Sequence, residues 1–279
     1  MRDFKDRVAV ITGGGSGIGE GFAKRCAAEQ MRIVIADIDQ RNLDRVATEI
    51  SLSVGSDRLL ALKIDVGKRE DILLLATKAK EKFGRIDLLF NQAGIPGPIG
   101  PIWQASYDDI EKTVQVNLLS MMYSLRTFVP IMIDQDTPGH IVNTSSGAGL
   151  QLSYDMACYI TTKRAVVALS ETLSLDLHAA KSKIQVSVLC PGMVVTNFTK
   201  MIPSVEASDS DSVKKLKTFF ADNLQSKGIP IKQVVDQTFD AIRNEKFYIL
   251  THFNEHYSNI KNITDNMLAG KNPIDLFRK

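Results

Sequence analysis

The run Arg7 to Thr12, RVAVIT, passes directly into Gly13, Gly14, Gly15, Ser16, Gly17, Ile18 and Gly19, and then into EGFAKRCAAEQ. A mostly apolar run rich in β-branched residues is the pattern of a strand covered on both faces, and the segment after the glycines reads as a helix. A strand, glycine turn and helix in this order can approach a pyrophosphate closely, with backbone N–H groups and the positive end of the helix facing it. Glycines also serve tight turns that hold no ligand. The position of this turn between strand and helix is what favours a dinucleotide.

The alternation continues along the chain. Arg32 to Ala36 is a second apolar run and ends in Asp37, roughly 20 residues beyond the glycine turn. A carboxylate there can take both ribose hydroxyls of NAD and repel the added phosphate of NADP. No Arg or Lys stands in the glycine loop, and Ile38 follows Asp37 where a base would serve NADP, so the sequence argues for NAD. The competing reading of Asp37 is a cap for the helix that begins near Asp39. Leu59 to Ile64 reads as a third strand ending in Asp65 and Val66, Lys68 to Phe83 as its returning helix, and Ile86 to Phe90 as a fourth strand ending in Asn91, Gln92, Ala93 and Gly94. Ile184 to Cys190 and Lys246 to Thr251 read as later strands, and Ile231 to Arg243 as a helix. Strands alternating with helices predict a doubly wound parallel α/β sheet, whose ligands sit beyond the carboxyl ends of the strands. No internal repeat or low-complexity linker divides residues 1–279, so one domain is expected.

The stretch from His140 to Val167 carries the candidate reacting groups. A short strand there runs through a polar turn into a helix that presents Tyr159 and Lys163 on one face. A cation within roughly 4–6 Å favours the phenolate, which would pull the tyrosine down from its ordinary value of about 10 toward neutrality. Ser146 closes the strand, where its hydroxyl is placed to hold a substrate oxygen. A Tyr and Lys at this spacing are also a common surface pair, and the rest of the chain is what lifts them above that. Asn117 lies in a helical region, Tyr107 to Pro130, among Val114, Val116, Leu118 and Leu119. A buried amide there must be hydrogen-bonded, either as a structural fastener or as the holder of a water or a kink near the site.

Residues 198–227 break the rhythm of strand and helix and are expected to form a substrate lid. Lys214, Lys215 and Lys217 within it read as a solvated helix face. The tail, 252–279, is only partly amphipathic and either packs back on the domain or reaches a neighbouring subunit. Ile95, Pro96, Ile99 and Trp103, then Ala148, Leu150, Leu152 and Tyr154, then Met193, Phe198, Met201, Phe219 and Phe220 are expected to wall the substrate pocket. Their apolar character suggests a hydrophobic or aromatic substrate.

Composition excludes several classes of partner. Lys plus Arg is 34 and Asp plus Glu is 32, and the net charge of +2 gives no general reason to expect nucleic acid or a membrane surface. The amino-terminal segment has no secretory apolar region, and no window approaches an apolar run long enough to span a bilayer. The cysteines, Cys26, Cys158 and Cys190, lack metal-ligand spacing and suit a reducing compartment, so a cytoplasmic location is expected. His252 and His256 form an HxxxH without the preceding Glu of a zinc protease helix, and no metal site is expected.

Taken together, the sequence resembles the short-chain dehydrogenase/reductase family over residues 4 to 255. The resemblance rests on TGxxxGIG as Thr12, Gly13, Gly17, Ile18 and Gly19, on Asn91, Ala93 and Gly94 of the NNAG motif, on Asn117, on Ser146, on YxxxK as Tyr159 and Lys163, and on Pro191, Gly192 and Thr196. Gln92 departs from the family's second asparagine. The resemblance implies a Rossmann fold of about seven parallel strands and NAD as cofactor. The cofactor would be held by Gly13, Ser16, Gly17, Ile18, Gly19, Asp37, Ile38, Asp65, Val66, Asn91, Ala93, Gly94, Pro191, Gly192, Val194 and Thr196, together with Tyr159 and Lys163. It further implies hydride transfer to and from a secondary alcohol or ketone, with Tyr159 moving the proton, Ser146 orienting the substrate oxygen, Lys163 serving the ribose and the tyrosine, and Asn117 positioning a water. The assembly implied is a homodimer or homotetramer packed through the Tyr107 to Pro130 and Tyr154 to His178 helices. The alternatives are a carbonyl or 3-oxoacyl thioester reductase and a dinucleotide-binding protein without turnover.

Overall fold

The computed structural model describes residues 3–276 except 197, 199, 200, 203 and 205; the parts of the expected lid and tail at those positions and at 277–279 lie outside the described residues. The strands are β1 (Val8–Thr12), β2 (Arg32–Asp37), β3 (Leu59–Lys63), β4 (Leu88–Asn91), β5 (Gly139–Thr144), β6 (Ile184–Cys190) and β7 (Tyr248–Leu250). All pair in parallel into one seven-stranded sheet in the order β3-β2-β1-β4-β5-β6-β7. This is the doubly wound Rossmann-type sheet that the alternation predicts.

The reason lies in the strands themselves. Every residue of β1, β4 and β5 is buried, so these runs have no face to offer to water and must be covered twice. Ala9 and Ile11 pack to one side, against Phe22 of α1 (Gly17–Ala28), Leu43 of α2 (Gln40–Val54) and Phe239 of α8 (Ile231–Arg243). Val8 and Val10 pack to the other, against Leu75 of α3 (Arg69–Phe83), Phe128 of α5 (Ser120–Asp134) and Val166 of α6 (Ala157–Ala179). Phe22 stacks on Phe90 with ring centroids 4.2 Å apart, which locks α1 to the middle of the sheet.

The chain winds outward from β1 in both directions, because β2 lies on one side of it and β4 on the other. Such a reversal leaves a crevice at the carboxyl ends of β1 and β4, and ligands of open parallel sheets bind there. The register sets the ends level: Thr12 pairs with Ala36, Asn91 with Asn143, and Thr144 with Leu189.

Two regions take a more definite form in the fold. The Tyr107 region is one helical rod, α4 (Tyr107–Val114) joined to α5 by a π-helical turn at Gln115–Leu119. An 18-residue window of Tyr107–Asp134 also reaches a mean hydropathy of 1.3, enough by length and composition to cross a membrane. The sequence reading missed it because scattered polar residues interrupt the apolar ones. In the fold, Met121, Leu125 and Phe128 of this rod are buried against the sheet. The tail, in turn, is mostly a helix, α9 (Phe253–Leu268).

His140 shows how tightly the sheet edge is sealed. It is fully buried on β5, and its Nε2 lies 2.8 Å from Ser187 Oγ on β6. Ser187 commits its one proton to Lys246 O at 2.6 Å, so the imidazole Nε2 must be the donor in this pair. Burial pushes His140 down from 6.5 to about 3. The unfolded chain therefore takes up this proton first, and stability present above pH 6.5 is lost as the pH falls toward 3. His140→Gln keeps a donor for Ser187 and removes the titration. Its stability in urea should fall by on the order of 2 kcal/mol less than that of the parent between pH 7 and pH 4.5. Parallel acid curves for the two proteins would assign the acid sensitivity elsewhere.

Candidate active site

The glycine turn is built by contact with backbone. Gly13 and Gly17 have φ of +66° and +56°, a region that favours glycine, and a Cβ on Gly19 would lie 2.0 Å from Gly13 O. Ser16 stands at the N-cap of α1 with no side-chain bond to the first turn, which leaves that turn's N–H groups to an anion. Asp37 closes the loop: its Oδ2 accepts from Gly15 N at 2.9 Å and its Oδ1 from Asp39 N at 3.0 Å. The cap of α2 is Asp39, which accepts from Asn42 N, so the capping role falls to Asp39. Sequence reading missed Arg45, whose Nη2 reaches Gly15 O at 3.3 Å from behind the loop. It is tied to Glu20 and Glu49, and only the fold brings these charges to the glycine turn.

One cavity of about 760 Å³ runs from this turn along the strand ends. Gly13, Ser16, Gly17, Ile18, Asp37, Ile38, Asp65, Val66, Ala93, Gly94, Pro191, Gly192, Val194 and Thr196 all line it, as do Ser146, Tyr159 and Lys163. Gly19 and Asn91 do not. Asn91 is buried in the sheet, where its Nδ2 donates to Asn143 Oδ1 at 2.9 Å and its Oδ1 accepts from Ser124 Oγ at 2.6 Å. Gln92, the departure from NNAG, reaches across instead: its Oε1 accepts from Thr144 Oγ1 at 2.7 Å.

Asn117 sits in the π-helical turn, which places its amide off the regular helix ladder. Its Oδ1 accepts from Ile95 N at 2.8 Å and its Nδ2 donates to Ile95 O at 2.9 Å. The side chain is thus a fastener for the loop after β4, and both of its groups are spoken for by protein.

Tyr159 and Lys163 come together at the deep end. Both are buried, at 8% and 3% exposure. Lys163 Nζ donates to Thr144 O at 3.1 Å and lies 5.7 Å from the centre of the Tyr159 ring. Burial raises the Tyr159 phenol to about 12, with a hydrogen bond from Ser146 working the other way. Burial likewise lowers Lys163 from 10.5 to about 8. This corrects the expected electrostatics. In the protein alone, desolvation outweighs any pull of the ammonium on the phenol, and each group is driven toward its neutral form. The arrangement offers a neutral phenolic donor beside the Ser146 hydroxyl, and an amine whose protonation changes near physiological pH.

The outer wall comes from the segment after β6. Ile229 N donates to Met193 O and Val195 N to Ile229 O, both at 3.0 Å, which draws the two ends of the intervening chain together. Between them, Phe198, Met201, Phe219 and Phe220 line the cavity as expected, joined by Leu216 of α7 (Asp211–Lys227). Phe198 packs on Tyr159 with ring centroids 5.7 Å apart. Ile95, Ala148 and Met193 also line it. Pro96, Ile99, Trp103, Leu150, Leu152 and Tyr154 do not, and Trp103 is 82% exposed. Lys217 is no solvated residue: it is buried against Asp209 at 2.8 Å and Ser204 O at 3.0 Å. Gln151, Ser153 and Met156, from the turn between Ser146 and Tyr159, also line the cavity, and so do Glu255 and His256, which no signal in the sequence marks, since only the fold brings α9 over this edge.

Residues 7–207 match the short chain dehydrogenase family, and the chain belongs to it. A CLA biosynthesis dehydrogenase/reductase of Lactiplantibacillus plantarum is 36% identical over 260 residues, 90% of each chain. A meso-2,3-butanediol dehydrogenase of Serratia marcescens is 34% identical over 200 residues, 72% of this chain and 76% of the relative. The crystal structure of a short-chain dehydrogenase/reductase from Burkholderia phymatum in complex with NAD superposes with a TM-score of 0.90 at 34% identity, covering 98% of each chain. The protein is an NAD-dependent oxidoreductase acting on alcohol and carbonyl groups.

The residues present fit that cofactor. The glycine turn closes on backbone where a side chain would not pass, the first turn of α1 faces it uncapped, and the Asp37 carboxylate lies at the loop's rim. Asp37→Ser removes the charge that favours free ribose hydroxyls. NAD affinity should fall about 10- to 100-fold, as for loss of a charged hydrogen bond, and NADP should gain on it. Fluorescence titration with each dinucleotide measures this, and an unchanged preference would reduce Asp37 to a loop support.

Proposed function

We propose that the protein transfers a hydride between NAD and a secondary alcohol or its ketone, and that the substrate is hydrophobic or aromatic. The observation that carries this reading is the Tyr159 phenol beside Ser146 at the floor of a cavity whose outer wall is Leu216, Phe219, Phe220, Met201 and Phe198. Bound over the glycine turn, NAD supplies the hydride acceptor. Ser146 would hold the substrate oxygen, and Tyr159 would take the hydroxyl proton in the oxidative direction and return it to that oxygen in the reductive one. Lys163, tethered to Thr144 O beside the phenol, would hold the ribose hydroxyls. Asn117 acts through Ile95, whose backbone it clamps beside the cavity. The lid over this floor excludes water, which favours charge transfer at the reacting carbon.

The reductive reading, on a 3-oxoacyl thioester or another carbonyl, uses the same floor. Asp37 speaks against it mildly, because it favours NAD over the phosphorylated dinucleotide. The reading includes a small-molecule partner alone, and assembly as a homodimer or homotetramer through α5 and α6, whose Met122, Ile133 and Leu175 are exposed.

A panel of secondary alcohols followed by NADH formation should rank aryl and long-chain alcohols first. Wholly polar polyols as the best substrates would contradict the apolar wall. Tyr159→Phe keeps the ring and removes the proton carrier, so NAD affinity should survive while turnover falls at least about 100-fold. Retained turnover would make the phenol a packing residue.

A further inference from the structure

The helix α9 lies beyond the part of the chain that matches the family, and its first turn meets the catalytic edge. His256 is 1% exposed, and its Nε2 lies 3.0 Å from Cys190 O at the end of β6. A carbonyl only accepts, so this nitrogen carries the proton and Nδ1 is left as a bare acceptor. Nδ1 has no partner among the described residues. The ring rests on Gly147, the residue after Ser146, where a Cβ would come within 2.6 Å of it. His252 rests on Gly192 in the same way, at 2.5 Å. One turn further along, Asn259 Nδ2 donates to Gln151 Oε1 at 2.7 Å. The helix is thus seated at three points around the substrate end of the cavity.

This seating holds Glu255 in the cavity wall. Glu255 is in the first turn of α9, where a glutamate commonly reaches back to the N-cap. No such bond forms here, and the carboxylate has no hydrogen bond or ion pair among the described residues. The cavity's cations lie elsewhere. Lys163 is turned to Thr144 O, and Lys112 shares its helix face with Gln115, which donates to Gly67 O beside Asp65 at the far end. Among the described residues, the substrate end therefore combines an apolar lid with the exposed carboxylate of Glu255 at its rim, and no basic side chain faces it.

Resting on the function proposed above, we infer that Glu255 is a specificity-determining residue that selects substrates carrying a hydrogen-bond donor, a hydroxyl or an ammonium group, remote from the reacting carbon. An anionic end is disfavoured there, because a carboxylate would meet the like charge of Glu255 with no cation among the described residues placed to offset it. His256 is a positioning residue for Glu255, and through Gly147 it backs the turn that carries Ser146.

The test measures binding separately from turnover. The full chain saturated with NAD, which has no hydride to give to a ketone, is titrated by calorimetry with 4-(aminomethyl)acetophenone, 4-acetylbenzoate and acetophenone, as the parent protein, as Glu255→Gln and as Glu255→Lys. The parent should bind the aminomethyl ketone at least about tenfold more tightly than the carboxylate. Glu255→Gln should bring the two within about threefold, and Glu255→Lys should reverse the order. NAD affinity, measured in parallel, reports whether each variant keeps its site. Equal affinities in the parent, a ratio unchanged in Glu255→Lys, or no binding of any ketone overturns the inference. Charge discrimination without turnover of any of the three would instead count against the proposed reaction and leave the role of Glu255 standing.

Discussion

Lys163 is where the architecture of the site is decided. A lysine at 3% exposure is costly unless its donors are used, and Thr144 O at the end of β5 takes one of them at 3.1 Å. Because Lys163 is on α6, this bond ties the helix that carries Tyr159 to the strand that ends beside Ser146. The same strand end is joined through Thr144 Oγ1 to Gln92 after β4, and β4 sits beside β1, whose Thr12 opens the glycine turn. Hydroxyl, phenol, amine and dinucleotide cradle are therefore positioned by one rigid sheet edge.

Burial gives that edge its chemistry as well as its shape. Tyr159 is held up near 12 and Lys163 down near 8 by the same loss of solvent, so the phenol rests protonated and the amine sits close to the point at which it gives up its proton. A charged pair would face a larger desolvation cost in the same place. The division between parts of the chain is equally clear. On the proposed reading, residues of the sheet edge serve the cofactor and the proton, whereas the segment after β6 and α9 line the space in which a substrate would fit.

The sheet was legible in the sequence because its central strands are buried on both faces and read as unbroken apolar runs. Strand ends were off by one or two residues where polar residues continue the pairing, as at Asn91 in β4. The glycine turn, Asp37, Ser146, Tyr159 and Lys163 were legible because each is tied to a local geometry: a left-handed φ, a strand end, or one face of a helix. Three things were not. Asn91 points into the sheet, since alternation along β4 sends every second side chain that way and a motif does not say which. Lys217 looked solvated in a basic cluster, but Asp209 and Ser204 fold over it. Glu255 and His256 on α9 lie far along the chain from Ser146, and nothing in a heavily exposed, partly amphipathic tail marks His256 as the residue that reaches Cys190.

The central claim is that this edge moves a hydride from a carbinol carbon while Tyr159 moves the proton. It is tested most directly by turning over a secondary aryl alcohol with deuterium on the carbinol carbon and locating the label by mass spectrometry and NMR. The account predicts that the deuterium is recovered at C4 of the nicotinamide ring of the reduced cofactor. Reduced cofactor without deuterium, or deuterium released to water, would contradict it.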